Sequence, residues 1–250
     1  MKNILAISLL ASFPALAAAQ EPDVLRADLA GTRPLSLFAG QGGQVVEEVV
    51  APHLKGSISV YGRASFAGDT EVSLTGVTYS DILNPGVGIS VEVDLLAEIV
   101  PHWAVGGYLS VGWDWFQGQS NVDMLSGQIA SFNKMDMTTV IVGAKVLERV
   151  GPFITWEGRI GGGYVRYSQL TYTDVSAPPP LPGLQFFRPI SRGVFEIGGR
   201  VAFGDRHVCF DLGLGLRAMG AMSPGTDFSG FIPPEFFFTY MFEVGLTLRW

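Results

Sequence analysis

From Val87 to Ile99 the chain alternates: Val87, Ile89, Val91, Val93, Leu95, Ala97 and Ile99 are apolar, while Gly88, Ser90, Glu92, Asp94 and Glu98 stand between them. Only Leu96 breaks the second set. A β-strand sends successive side chains to opposite faces, so this run predicts a strand with one apolar and one polar face. A helix would repeat its apolar positions every three to four residues and cannot use this pattern.

The same split recurs along the chain. Ile58, Val60, Ala64 and Phe66 oppose Ser57, Ser59, Tyr61 and Arg63; Trp103, Val105, Leu109, Val111, Trp113 and Trp115 oppose Tyr108, Ser110 and Asp114. Ile154, Trp156, Ile160 and Tyr164 oppose Thr155, Glu157 and Arg159, and Phe195, Ile197, Val201 and Phe203 oppose Arg192, Glu196 and Arg200. Val208, Phe210, Leu212, Leu214 and Leu216 oppose Asp211 and Arg217; Phe236, Phe238, Tyr240, Phe242, Val244, Leu246, Leu248 and Trp250 oppose Thr239, Glu243, Thr247 and Arg249. An eighth strand, around 137–147, carries apolar residues on both parities. Lys145 assigns Val140, Val142, Ala144 and Val146 to the apolar face.

The connections alternate too. Short ones fall at Pro101-His102, 148–152 and 204–207, and long ones near 67–85, 117–134, 168–189 and 220–235. Eight strands joined in this way predict an all-β fold, an eight-stranded up-and-down antiparallel β-barrel over residues 54–250. Short turns at one end and long loops at the other are the asymmetry of transmembrane barrels, with the turns and both termini periplasmic.

Which parity faces outward decides between two architectures. A soluble eight-stranded barrel, such as a lipocalin, would turn its apolar strips inward. Three features favour the membrane. The apolar strips carry only Asp136 and Arg166 as charges, both near a long-loop end, whereas a mid-membrane Lys or Arg costs about 2–4 kcal/mol. Aromatic residues gather at the strand ends: Trp103, Phe153, Phe203 and Trp250 at one, Phe66, Trp113, Trp115, Tyr164 and Phe236 at the other. The polar parity is nearly balanced, with Glu92, Asp94, Glu98, Asp114, Glu157, Glu196, Asp211 and Glu243 against Arg63, Lys145, Arg159, Arg192, Arg200, Arg217 and Arg249. These fifteen side chains are expected to pair as a charge network inside the barrel, as charges withdrawn from water require.

Composition agrees with this division. Hydrophobic residues make up 48% and charged residues 16%, which excludes a disordered chain. A single Cys excludes a disulfide scaffold, and a net charge of −7 disfavours nucleic acid as a partner. After residue 20 there is no apolar run of the roughly 18 residues a membrane helix needs. Residues 1–19, with Lys2, an apolar core from Ile4 to Leu10 and Ala17-Ala18-Ala19, read as a secretory signal peptide. Residues 20–53 read as a periplasmic segment or a strap across the barrel mouth.

The last residues, Phe242, Val244, Leu246, Leu248 and Trp250, alternate and end on an aromatic. This end resembles the C-terminal signal that the barrel-assembly machinery reads in bacterial outer-membrane proteins. With the signal peptide and the preceding strands, residues 55–250 resemble the small OmpA/OmpX-like barrel superfamily. The resemblance implies an integral protein of the outer membrane of a Gram-negative, diderm bacterium, with outer-membrane lipids around it.

Side chains largely fill eight-stranded barrels. Gly88, Gly106, Gly112, Gly143, Gly161, Gly163, Gly198, Gly213, Gly215 and Gly245 lie on the inward parity and leave room for long Arg and Glu side chains. Some barrels of this kind act on lipid A or cleave proteins with a His on the outer side. Here His53, His102 and His207 all fall at the short-turn end and lack metal-ligand spacing, so no enzyme, no metal and no cofactor are expected. In the loops Asp69, Glu71, Asp81, Asp123, Asp174, Asp227 and Glu235 outnumber Lys134 and Arg188, an acidic rim toward solvent. Ala177–Gly183 is proline-rich and reads as a stiffened loop. The expected role is structural or surface-interacting: envelope integrity, adhesion, or contact with an extracellular ligand through the loops. A narrow, OmpW-like channel for small or apolar solutes is the alternative, and lipid A modification a third reading.

Overall fold

The computed structural model describes residues 54–72, 75–124, 127–205, 207–228 and 236–250. The signal peptide over 1–19 and the segment 20–53 lie outside these residues. The described strands, in chain order, are β1 Leu54–Ala67, β2 Glu71–Val72, β3 Val77–Thr78, β4 Gly86–Val100, β5 Trp103–Phe116, β6 Val122–Asp123, β7 Ile129–Phe132 and β8 Met135–Arg149. They continue with β9 Ile154–Tyr167, β10 Leu170–Asp174, β11 Leu181–Arg188, β12 Ile190–Gly204, β13 Val208–Gly220, β14 Ser223–Pro224 and β15 Phe236–Arg249. One turn of helix, α1 Tyr79–Ile82, follows β3.

Eight of these strands close a barrel in the order β1-β15-β13-β12-β9-β8-β5-β4, every pair antiparallel. Apart from the return of β15 to β1, neighbours in the barrel are neighbours in sequence, as an up-and-down topology requires. The C-terminus closes the ring. β15 lies along β1 with Val60 opposite Leu246, and Gly56 and Trp250 exchange backbone hydrogen bonds of 3.1 and 3.0 Å. The register is continuous around the wall except near Glu98 and Val100, where β4 shifts against β5.

The polarity is that of a transmembrane barrel. Val87, Ile89, Val93, Leu95, Val142, Ile160, Leu214 and Leu246 are exposed on the outer wall, and the nine strand-end aromatics named above are exposed with them. The alternate parity is buried inside, including Glu92, Asp114, Arg159, Arg200 and Glu243. A lipocalin-like arrangement would show the reverse. A continuous apolar belt of this extent is not a surface that water tolerates on a monomer.

The long connections are not simple loops. Segments from three of them form a second, five-stranded sheet in the order β14-β11-β10-β7-β6, and β2 pairs with β3 in the fourth. This cap shares one apolar core with the adjacent end of the barrel. Val72, Tyr79, Ile82, Phe132, Phe186 and Phe187 from the connections pack with inward-facing Met135, Met137, Ile141, Val165, Met219 and Phe237 from the wall. Tyr79 and Phe237 rings lie 4.5 Å apart, and Phe132 meets Phe186 edge-on at 5.0 Å. The apolar residues on both parities of β8 therefore have two destinations, lipid on one face and this core on the other.

Candidate functional site

The barrel interior is layered. At the middle level twelve of the fifteen charged residues expected inside join one connected set of ion pairs, six acids with six bases. Its centre is Glu92 on β4. Arg200, from β12 on the opposite side of the barrel, donates to both Glu92 oxygens at 2.8 and 3.0 Å. Arg159 reaches the same carboxylate at 3.1 Å, and Lys145 is hydrogen-bonded to it as well. Arg159 also pairs with Glu196 at 3.0 Å and Glu243 at 2.7 Å, while Arg200 reaches Glu243 at 3.0 Å.

A second diameter is spanned toward the cap. Arg217 on β13 bridges Glu196 at 2.6 Å and Asp114, on the opposing β5, at 3.3 Å. Asp114 also takes Arg63 at 2.9 Å and the Ser65 hydroxyl at 3.0 Å. Toward the short-turn end, Lys145 pairs with Asp94 at 2.6 Å and lies 3.5 Å from Glu157, which takes Arg249 at 2.8 Å. The Arg200 guanidinium also stacks 3.8 Å above the Tyr61 ring and donates to its hydroxyl at 2.9 Å.

Glycines make this density possible. A methyl group at Gly112 would stand 2.3 Å from the Arg63 guanidinium, and one at Gly245 the same distance from the Tyr61 ring.

Three of the fifteen stand apart. Glu98 pairs with Lys55 at the mouth. Asp211 accepts a hydrogen bond from Thr247 at 2.5 Å and joins no ion pair among the described residues. Arg192 leaves the barrel: its guanidinium donates to the Ala221 carbonyl at 2.9 Å and the Ser223 hydroxyl at 2.8 Å, tying β12 to the cap. Parity gives the face of a strand but not the depth at which a side chain ends, so these three could not be separated by sequence.

Four of the loop acids have structural partners. Asp81 accepts from the Thr78 N–H and hydroxyl at 2.8 and 2.7 Å, Asp69 from Ser80 at 2.5 Å, and Asp227 from the Gln185 N–H at 2.7 Å. Asp174 is buried rather than part of a solvated rim, and it accepts from the Ser176 hydroxyl and N–H and from Gln128. The Ser176 hydroxyl is the main cause that holds its carboxyl below the usual range. At the short-turn end, the Val208 and His207 N–H groups hold Asp205 low in the same way. Glu235 lies outside the described residues.

Below the charged belt a cavity of about 380 Å³ occupies the short-turn end. Leu96, Ala104, Leu147, Trp103 and Trp250 supply apolar wall, and Asp94 and Glu157 lie toward its inner end. His102 and His207, exposed turn residues as expected, both border it. Sequence reasoning missed this chamber, whose walls come from six of the eight barrel strands and two of their turns. Among the described residues no group of three His, Cys, Asp or Glu has the geometry to hold a metal, and Cys209 is a buried free thiol. The C-terminal residues Phe242, Leu246, Leu248 and Trp250 are exposed on the outer wall of the closing strand, and Val244 is half-buried there.

No family model matches the sequence, and no curated protein matches it. Solved structures with a similar outline include Ail, the attachment invasion locus protein of Yersinia pestis, at 13% identity over 80% of this chain and 100% of that one, with a TM-score of 0.44. Neisserial surface protein A follows at 8% identity over 78% and 96%, with a TM-score of 0.39. The outer membrane protease OmpT from Escherichia coli is similar at 8% identity over 79% and 96%, with a TM-score of 0.42. An attachment protein and a protease both stand among these likenesses, which leave the activity of this chain open.

Proposed function

We propose that this chain is an integral outer-membrane protein that spans the bilayer as a sealed barrel and presents its cap sheet as a rigid outer surface. Its role is structural or surface-interacting, without catalysis and without conduction. One observation carries this reading: the Arg200–Glu92 and Arg217–Asp114 pairs each cross the barrel between opposing strands, and an apolar core stands beyond them. An ion entering such an interior would have to break pairs whose partners are then left buried and uncompensated, a cost of several kcal/mol. Beyond the pairs it would meet the packed aromatic and aliphatic side chains shared by wall and cap.

Export by the residue 1–19 signal and insertion by the barrel-assembly machinery, through the alternating end from Phe242 to Trp250, complete the proposal. Extracellular contact belongs to the cap, where the proline-rich tip Pro178–Pro180 is exposed on the hairpin of β10 and β11. Planar-bilayer recording tests the central point. The purified chain is expected to insert without discrete conductance steps. Reproducible steps at neutral pH would favour the channel reading.

A further inference from the structure

The chamber at the short-turn end has the size of a small-molecule site, which typically spans about 300–1,000 Å³. Its walls are mostly matched. Lys55 pairs with Glu98, and Arg249 with Glu157. Two further groups on its lining keep capacity for a ligand.

The first is Asp94. It is buried, with 4% of its surface accessible, and its Oδ1 has no hydrogen-bond partner among the described residues. Its one cationic neighbour, Lys145, is shared with Glu92 and Glu157, and those two carboxylates have arginines besides. Asp94 therefore keeps unmet capacity for a positively charged donor. The second is Arg149, at the end of β8. Its backbone N–H is bonded to the His102 carbonyl, but its guanidinium has no ion-pair partner among the described residues. It is the uncompensated cation of the wall.

The two groups sit at different depths. Asp94 lies opposite Tyr108, while Arg149 follows Glu148, which lies opposite Trp103 at the rim. Five residues separate Tyr108 from Trp103 along β5, or roughly 16 Å of strand at about 3.3 Å per residue, so a single small ion does not meet both. Between them the inward parity of three strands supplies Leu96, Ala104 and Leu147 as apolar lining.

We propose that this chamber binds a small zwitterion with an apolar middle: an ammonium group seated on Asp94, a carboxylate on Arg149, and a methylene body against the apolar wall. The inference is independent of whether the barrel conducts.

The test uses the full chain in phospholipid nanodiscs, titrated calorimetrically with 6-aminohexanoate, 8-aminooctanoate, hexanoate and hexylamine. At least one amino acid is expected to bind about tenfold or more tighter than either single-ended compound, since each added end satisfies a charged hydrogen bond. Arg149→Gln, on a side chain outside the ion-pair network, is expected to bring the amino acid down to the affinity of hexylamine while leaving hexylamine unchanged. Ala104→Phe, which fills the chamber, is expected to abolish binding of all four. The proposal is overturned if none of the compounds binds, if hexanoate or hexylamine binds as tightly as both amino acids, or if Arg149→Gln weakens hexylamine equally.

Discussion

Arg200 and Glu92 sit on strands four places apart in a ring of eight, and their side chains meet in a two-pronged ion pair of 2.8 and 3.0 Å across the full width of the barrel. The wall is thereby braced from within, and the bore is occupied at its middle. Planar guanidinium and carboxylate groups suit this contact, because two parallel hydrogen bonds fix direction as well as distance. The strength of the arrangement depends on completeness: every acid in the belt answers a base.

Breaking that balance should be costly. Glu92→Gln removes the shared partner of Lys145, Arg159 and Arg200 and leaves three buried cations competing for the remaining acids. Loss of one member of a buried pair typically costs about 3–5 kcal/mol. Urea unfolding from lipid vesicles, followed by tryptophan emission, is expected to show a loss of that order. The paired replacement Glu92→Gln with Arg200→Met is expected to recover part of it.

The outer wall makes the opposite demand. Leu214 is exposed midway along β13, between Gly199 and Phe242 on the neighbouring strands. Leu214→Arg would place a cation against the middle of the bilayer, at about 2–4 kcal/mol. Folding yield into vesicles, read from the different migration of boiled and unboiled samples, is expected to fall well below that of the inward change Ser90→Ala, which removes a buried hydroxyl without a hydrogen-bond partner among the described residues.

The cap should yield separately from the barrel. Tyr79 packs on Phe237 at 4.5 Å and on Phe187 at 6.0 Å, with its hydroxyl buried. Tyr79→Ala removes the ring that joins α1 to the barrel top, and truncation of a buried aromatic costs about 3–5 kcal/mol. Trypsin is expected to cut the variant after exposed Lys134 while leaving the parent intact, and the barrel is expected to retain its heat-dependent migration.

Acid should loosen the β10–β11 hairpin late. The Asp174 carboxyl titrates below its ordinary range because the Ser176 hydroxyl, followed by the Ser176 and Ala177 N–H groups, bonds its charged form. The stabilisation is fully present above the ordinary carboxylate pKa and is lost as pH falls through the depressed value. Carbon-detected NMR titration of Asp174 is expected to show that low midpoint, with a rise toward the normal range in Ser176→Ala.

The barrel was legible in sequence because its signal is local. Period two along Val87–Ile99 or Phe236–Trp250 records the two solvents that a single strand meets, and the turns at Pro101-His102 and Gly204–His207 punctuate it. The face of the charged side chains was legible for the same reason, since Arg63, Glu92 and Glu243 share a parity with buried serines and threonines. The cap was not, because β7 meets β10 and β11 meets β14 across different connections, and two-residue strands carry no period. Phe186 and Phe187 read as loop aromatics, although both are core. The spare Asp94 oxygen and the unpaired Arg149 were hidden too, since a missing partner is visible only when every neighbour in space is known.

All of this rests on which parity of each strand meets lipid. Single cysteines at 89, 90, 91, 92, 93 and 94, in a Cys209→Ser background and labelled with an environment-sensitive fluorophore, test that directly with a quencher confined to the acyl chains. With the odd parity facing lipid, strong quenching is expected at 89, 91 and 93 and little at 90, 92 and 94. Quenching at the even positions, or no alternation at all, would contradict that orientation.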